Sequence, residues 1–130
     1  NNAVGYARPA RFANPVALGT DGIGADMLEE FRLAYARLRE SDVQATPETP
    51  WSWLEAGRGL VPEAAEDRVT WSVDTVDPWA LAFTTGVRPL GVEVGGEVVW
   101  ADGRATRVDA EEIRARSAES ARRLWARMEP

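Results

Sequence analysis

The spacing of hydrophobic and polar residues predicts a strand followed by a helix in the first part of the chain. Pro15–Gly19 is a short apolar run, as in a strand that is buried on both faces. From Met27 to Arg39 apolar residues recur at helical spacing, after Asp26 as the N-cap and with Glu29 placed as in a capping box. This pattern predicts a single β/α unit, whose partner strands must come from elsewhere.

The next segment, residues 41–66, has the composition of a linker that contains one short helix. Its first part is polar and includes prolines. Thr46 and Pro47 are placed as the helix cap and the first helical residue, and Gly57 and Gly59 are expected to end the helix.

From Arg68 onward the hydrophobic period changes to that of a strand. Val69 and Trp71 alternate with polar residues, as on a half-buried strand. Gly95-Gly96 is a two-residue hairpin signal, and Asp102-Gly103 is a second turn signal. The pattern therefore predicts three short antiparallel strands.

An amphipathic helix is predicted at the end of the chain. It begins at Asp109, with Glu112 as its capping-box partner. Its apolar residues form one stripe, made of Ile113, Ala118, Ala121, Leu124, Trp125 and Met128. Its surface arginines are expected to form a solvated face with acidic neighbours at i, i+4: Arg114, Arg122, Arg123 and Arg127. The predicted divisions of the chain are thus 1–40, 41–66 and 67–130.

The tryptophans divide into two groups. Three of them fall on strand or helix stripes, which favours packing in the core: Trp71, Trp100 and Trp125. The other three lie in less regular segments, and for them a role at an interface stays open: Trp51, Trp53 and Trp79.

Composition narrows the class of protein. The chain has 130 residues with 45% apolar and 28% charged content, as expected for one globular domain. It has no cysteine, no signal-peptide pattern and no apolar stretch long enough for a membrane span, which favours the cytoplasm and no membrane partner. Its net charge of −6 and its scattered arginines argue against nucleic-acid binding. The absence of histidine argues against a self-sufficient zinc site.

Asp21 is the residue with the most informative position. It stands in Thr20-Asp21-Gly22, directly after the predicted strand. Asp-Gly is a common turn pair, so the first interpretation is that Asp21 only forms a turn. The carboxyl end of a buried strand is also where α/β folds and barrels place catalytic groups, so a site carboxylate is the second interpretation.

The stretch "PVALGTDGIGADMLEEFRLA" resembles the eighth strand and following helix of the amidohydrolase superfamily. Within that superfamily it is similar to the branch of triazine and chlorinated-heterocycle hydrolases, cytosine and guanine deaminases, and aminohydrolases linked to selenium metabolism. "NNAVGYARPARFANPVALGTDG" resembles the approach to strand eight, while "EDRVTWSVDTVDPW", "GVEVGGEVVWADGR" and "AESARRLWARM" resemble the C-terminal sandwich and closing helix. The resemblance is weakest between Ser41 and Glu66.

This resemblance implies an α/β fold made of the last β/α unit of a (β/α)₈ TIM-type barrel, strands of a small β-sandwich and a C-terminal helix. It implies a metal-dependent hydrolase of non-peptide C–N or C–Cl bonds, most simply a heterocycle deaminase. Asp21 would lie beside zinc, or iron as the alternative, and would move a proton from the metal-activated water to the leaving nitrogen. Asn2, Thr20 and Gly22 would lie near the substrate. Asp26 is expected to be a helix cap rather than a ligand.

The chain departs from the family pattern in its metal ligands. The family uses a His-x-His after strand one and further histidines after strands five and six, and this chain has no histidine. The ligands are therefore expected on a missing N-terminal barrel segment or a partner chain, and the chain alone should not catalyse. Its opening without Met suggests the interior of a longer polypeptide. A homodimer is in keeping with the family. The alternative is a non-catalytic structural or binding domain built on the β-meander and the last helix.

Overall fold

The structure, a computed structural model, describes residues 6–21 and 24–128. Contacts divide the chain into two units. The first contains Asn1–Ala65 and Ser72–Arg88, and the second contains Glu66–Trp71 and Pro89–Pro130.

The first unit is built from three α-helices. They are α1 (Met27–Ser41), α2 (Glu48–Leu60) and α3 (Pro78–Phe83), and single 3-10 turns occur at Pro9–Arg11 and Pro62–Glu66. The N-cap predicted for α1 is confirmed.

The side chain of Asp26 accepts hydrogen bonds from the Leu28 N–H at 2.8 Å and the Glu29 N–H at 3.3 Å, and so satisfies two amides that the helix leaves unpaired.

A small hydrophobic core forms on one face of α1. Phe31 is fully buried, and its ring meets that of Trp51 edge to face with centroids 5.8 Å apart. Leu38 packs with Ala45 and Trp53 in one cluster. The helical spacing found in the sequence thus identifies the buried face of α1 correctly.

The prediction of a strand at residues 15–19 is wrong. These residues, all described, belong to no sheet. Val16 and Leu18 instead pack against the Leu38 cluster, and the Leu18 N–H donates a hydrogen bond to the Trp53 carbonyl at 3.2 Å. A buried parallel strand needs neighbours on both sides, and the sheet of this chain joins only consecutive antiparallel strands in its described residues.

Residues 41–66, predicted to be a linker with one short helix, contain the 13-residue helix α2. Helix α2 continues through Gly57 and Gly59, so the prediction that these glycines end the helix is wrong. Trp53 lies on the core-facing side of this helix and is only 8% exposed, which excludes the interface role left open for it. Burial of this large ring outweighs the helix cost of two glycines, which is about 1 kcal/mol each.

A four-stranded antiparallel sheet forms the second unit together with one long helix. Its strands are β1 (Arg68–Trp71), β2 (Pro89–Val94), β3 (Glu97–Ala101) and β4 (Arg104–Ala105), in the order β1-β2-β3-β4. The three antiparallel strands predicted around the two glycine turns are confirmed as β2, β3 and β4, and the separate strand predicted from Arg68 is confirmed as β1.

Both predicted hairpin turns are confirmed. Gly95 and Gly96 have φ of 57° and 80°, and Asp102 and Gly103 have φ of 50° and 75°. Two successive residues with positive φ match the right-handed twist of the flanking strands, which is why these dipeptides suit two-residue hairpins. The Gly95 N–H also donates to the Asp67 carboxylate at 2.9 Å.

Helix α4 (Ala110–Met128) begins where the sequence predicts. The Asp109 side chain accepts from the N–H groups of Glu111 and Glu112, at 2.9 and 3.1 Å. The core position predicted for Trp125 is wrong, because this residue is 61% exposed. All 19 residues of α4 are described and none of them is buried, so its apolar stripe is exposed.

The second unit has no buried residue anywhere in its described part, 66–71 and 89–128. Trp71 and Trp100 are half-buried, while Val69, Leu90 and Val98 are between 44% and 49% exposed. Stable domains place the apolar face of a sheet or helix against another layer. The apolar surface of this unit therefore resembles a surface that another layer of secondary structure covers in a stable domain.

The observed fold class is mixed α/β, with helices and a four-stranded antiparallel sheet. The division of the chain at residues 40 and 66 stays a prediction. Among residues 6–21 and 24–128, no helix has the length and apolar character needed to cross a bilayer.

Candidate functional site

Asp21 lies on an exposed turn before α1. Its φ is 52°, in the left-handed region that Asp tolerates better than most residues. The turn is closed by the Gly24 N–H, which donates to the Thr20 carbonyl at 3.5 Å. In the part of the chain that the structure describes, no hydrogen bond or ion pair engages the Asp21 carboxylate. Asp21 thus presents a solvent-accessible carboxylate.

Of the other predicted substrate residues, the described part of the chain contains Thr20. Thr20 is half-buried and adjoins Asp21. Asn2 and Gly22 lie outside the described residues. Asp26, five positions after Asp21, has its carboxylate engaged by the first amides of α1, which confirms its assignment as a cap.

A lone carboxylate can accept a proton or fill one position around a metal, but it cannot hold a metal by itself. Within residues 6–21 and 24–128, no three His, Cys, Asp or Glu side chains come together in a group able to bind a metal ion. The described residues therefore do not form a complete metal centre by themselves.

A second polar arrangement in the first unit involves Glu48, the first residue of α2. Hydrogen bonds from Thr46, from the Glu48 backbone amide and from Trp79 lower the pKa of this carboxyl below its ordinary value of 4.5. The Trp79 indole N–H lies 2.5 Å from the carboxylate. The tryptophan is thereby fixed by a charged acceptor while its ring stays 48% exposed.

Helix α3 carries an aromatic group that sequence patterning did not identify. Phe83 stacks on Trp79 with a 25° interplanar angle and meets Tyr35 edge to face at 89°, each pair with centroids 5.8 Å apart. The available signal was Asp77-Pro78, an N-cap followed by proline at the first helical position. Asp77 indeed accepts from the Ala80 N–H at 2.8 Å.

Arg32 ties α1 to the C-terminus of α3. Its Nε donates to the Leu81 carbonyl at 2.8 Å, and its Nη2 donates to the Thr84 carbonyl at 2.7 Å. These carbonyls lie where a helix leaves acceptors unpaired, so a cation there is favourable. Arg32 therefore holds the C-terminal end of α3 against α1.

The four arginines predicted for the solvated face of α4 are exposed, but of these only Arg123 has the predicted acidic neighbour at i, i+4, since it pairs with Glu119 at 4.0 Å. Arg116, which was not predicted, pairs with Glu112 at 3.6 Å. Two shallow depressions, of about 450 and 310 Å³, run along this helix, and Asp21 lines neither.

No family model matches the chain. A search of solved structures likewise finds no significant match.

Proposed function

We propose that the chain is the C-terminal part of a metal-dependent amidohydrolase that hydrolyses a non-peptide C–N or C–Cl bond, in the simplest case by deaminating a heterocycle. Asp21 contributes one carboxylate to the site and accepts a proton there. Zinc, or iron as the alternative, is held by histidines outside these 130 residues. The site is completed by an N-terminal barrel segment or a partner chain, in a cytoplasmic protein.

The observation that carries this proposal is the position of Asp21. An apolar segment packs on α1, a short turn follows, and the turn presents an exposed carboxylate just before the capped helix. Asp26 already satisfies the first helix amides, so Asp21 is not needed for that task. The carboxylate therefore remains accessible for a ligand.

One feature supports the incompleteness of the chain. The described residues of the second unit, 66–71 and 89–128, include none that is buried. This is expected if a sandwich is completed by further polypeptide, because sheet faces need neighbouring layers.

The second candidate function is a non-catalytic binding domain. The exposed apolar stripe of α4 favours it, because extended apolar surfaces mark sites of association. In this case Asp21 serves only the turn.

A matched pair of substitutions distinguishes the two candidates. Asp102 is also an exposed Asp with positive φ, at 50° against 52° for Asp21, and also precedes a glycine. The assay uses the chain assembled with the polypeptide that supplies the histidines. It measures ammonia and chloride release from cytosine, guanine and chlorotriazines.

The hydrolase proposal predicts that Asp21→Asn lowers the rate at least 100-fold, while Asp102→Asn leaves it within about twofold. Equal rates for both variants would remove Asp21 from the site. If no polypeptide with His-x-His and two later histidines exists upstream or in a partner, the hydrolase proposal fails and the binding-domain candidate stands.

A further inference from the structure

Trp79 is held in place on the surface of the first unit. Its indole N–H donates a hydrogen bond to the Glu48 carboxylate at 2.5 Å, and Phe83 stacks on its ring with centroids 5.8 Å apart. Tyr35 in turn meets the Phe83 ring edge to face. Even so, Trp79 is 48% exposed and Phe83 is 61% exposed. Trp79 and Phe83 thus form an oriented aromatic surface that is open to solvent, which we call the aromatic platform.

The charges near the aromatic platform differ between the two ends of α3. Glu48 and the N-cap residue Asp77 place two carboxylates near its beginning, which carries Trp79. Arg32 lies at the other end, where its guanidinium donates to two backbone carbonyls. Within residues 6–21 and 24–128, no arginine forms an ion pair with Glu48. The Trp79 end of the platform is therefore negatively charged.

The exposed Trp79 ring and the neighbouring carboxylate both attract a cation. The face of an aromatic ring is electron-rich, and tryptophan binds cations more strongly than the other aromatic residues do. The hydrogen bond from the indole to Glu48 fixes the ring in advance and polarises it toward more negative charge. The carboxylate adds direct Coulomb attraction. The Trp79 end of the platform thus has the chemistry of a site for an organic cation.

The hydrogen bonds of Glu48 indicate which kind of cation fits. Its carboxylate already accepts from Thr46, from its own backbone amide and from the Trp79 indole. An ionised carboxylate has about four acceptor positions, so little capacity remains for further donors. A primary ammonium or a guanidinium would lose water from its N–H groups without gaining new acceptors. A quaternary ammonium has no N–H group to satisfy, so it can contact the ring beside the carboxylate without this cost.

We infer that the Trp79 end of the aromatic platform, beside Glu48, binds the quaternary ammonium group of a small molecule. A ligand of this size fits the site, because α3 has six residues and is about 9 Å long. The inference uses residues of the first unit other than Asp21 and does not depend on the proposed function. An exposed ring and an exposed carboxylate give modest affinity, so we expect a dissociation constant on the order of 1–10 mM.

Titration of the 130-residue chain with choline at constant ionic strength, followed by NMR, tests the inference. The Trp79 indole N–H resonance, identified by its loss in Trp79→Leu, should shift, and the choline methyl protons should show nuclear Overhauser effects to that ring. Ethanolamine carries the same charge on a primary ammonium, and the tert-butyl analogue of choline has the same shape without charge. Each should bind at least about threefold more weakly than choline.

Matched substitutions locate the site. Glu48→Gln removes the charge but keeps an acceptor for the indole, and should raise the dissociation constant for choline at least about threefold. Glu55→Gln removes an equal charge from α2, about 10 Å further along the helix, and should change the constant less than about 1.5-fold. Saturation transfer to the choline methyl protons should be lost in Trp79→Leu but kept in Trp125→Leu, which removes another exposed tryptophan. Circular dichroism checks the fold of each variant.

The inference is wrong if the Trp79 resonance does not shift with choline up to about 50 mM. Equal binding of ethanolamine would show that a quaternary ammonium is not preferred, and equal binding of the tert-butyl analogue would show that charge has no part. An effect of Glu48→Gln no larger than that of Glu55→Gln would remove the carboxylate from the site. Co-sedimentation with phosphatidylcholine vesicles that choline competes away would replace the small molecule with a lipid headgroup.

Discussion

Phe31→Ala is expected to remove much of the stability of the first unit. Phe31 is fully buried, so the substitution leaves a cavity the size of its ring unless the surroundings collapse. Buried Phe→Ala changes cost about 3–5 kcal/mol, of which the edge-to-face contact with Trp51 accounts for about 1 kcal/mol. Domains of this size have about 5–15 kcal/mol in total.

Phe12→Ala is the matched control. It is the same substitution in the same unit, but Phe12 is 55% exposed, so we expect a loss below about 1 kcal/mol. Urea titration is followed by tryptophan fluorescence, because Trp51 and Trp53 report on the core. Phe31→Leu should fall between the two, since it keeps apolar volume and loses the ring contact.

The packing described for α1 would be refuted if Phe31→Ala cost no more than Phe12→Ala. A fall in the denaturant slope with no change of midpoint would also contradict it, because that result reports a changed unfolded state rather than a cavity.

Three further predictions follow from local geometry. Gly96→Ala should destabilise the chain by about 1 kcal/mol, because φ at this residue is 80°. Gly57→Ala, inside α2, should instead stabilise it by up to about 1 kcal/mol. Thermal unfolding of both variants measures the two effects. Asp26→Ala should cost about 1 kcal/mol in urea titration by removing the N-cap of α1, and a change below about 0.2 kcal/mol would contradict the capping geometry. The Trp79 indole N–H resonance should follow the titration of Glu48, with a midpoint below 4.5, and Glu48→Gln should abolish this transition. Because the folded-state pKa is lowered, the stability contributed by Glu48 is present at neutral pH and is lost as the pH falls through that lowered pKa.

The elements that the sequence identified correctly have local causes. Asp26 and Asp109 cap their helices, and the Gly95-Gly96 turn closes its hairpin, because each depends on residues only a few positions away. The buried face of α1 also followed from its own spacing. Such features are set by short-range sterics and hydrogen bonds, which a single sequence contains.

The errors occur where the outcome depends on distant residues. Pro15–Gly19 has the composition of a buried strand but lacks a neighbouring strand, so it packs on α1 instead. Trp125 follows a core pattern, yet its side chain is exposed. Trp53 lies in a glycine-containing segment, yet its ring is buried because it fills the space beside Leu38. Periodicity indicates that a face is apolar but not what covers it.

For the candidate site, too, the sequence predicts the local feature but not the distant groups. Sequence alone placed Asp21 at a turn before a capped helix, which the structure describes directly. The groups that would make this carboxylate catalytic are absent from the chain, since it has no histidine. No pattern within the chain could identify their positions.

The most direct test of the proposed function is the metal content of the assembled protein, measured by mass spectrometry after purification without added metal. The chain is assembled with the polypeptide that supplies the histidines, in wild-type form and with Asp21→Asn or Asp102→Asn. The proposal predicts about one zinc or iron per chain in the wild type and the Asp102 variant, and reduced or more readily chelated metal in the Asp21 variant. An assembly without metal, or one whose metal affinity is the same in all three forms, would contradict the assignment of Asp21 to a metal site.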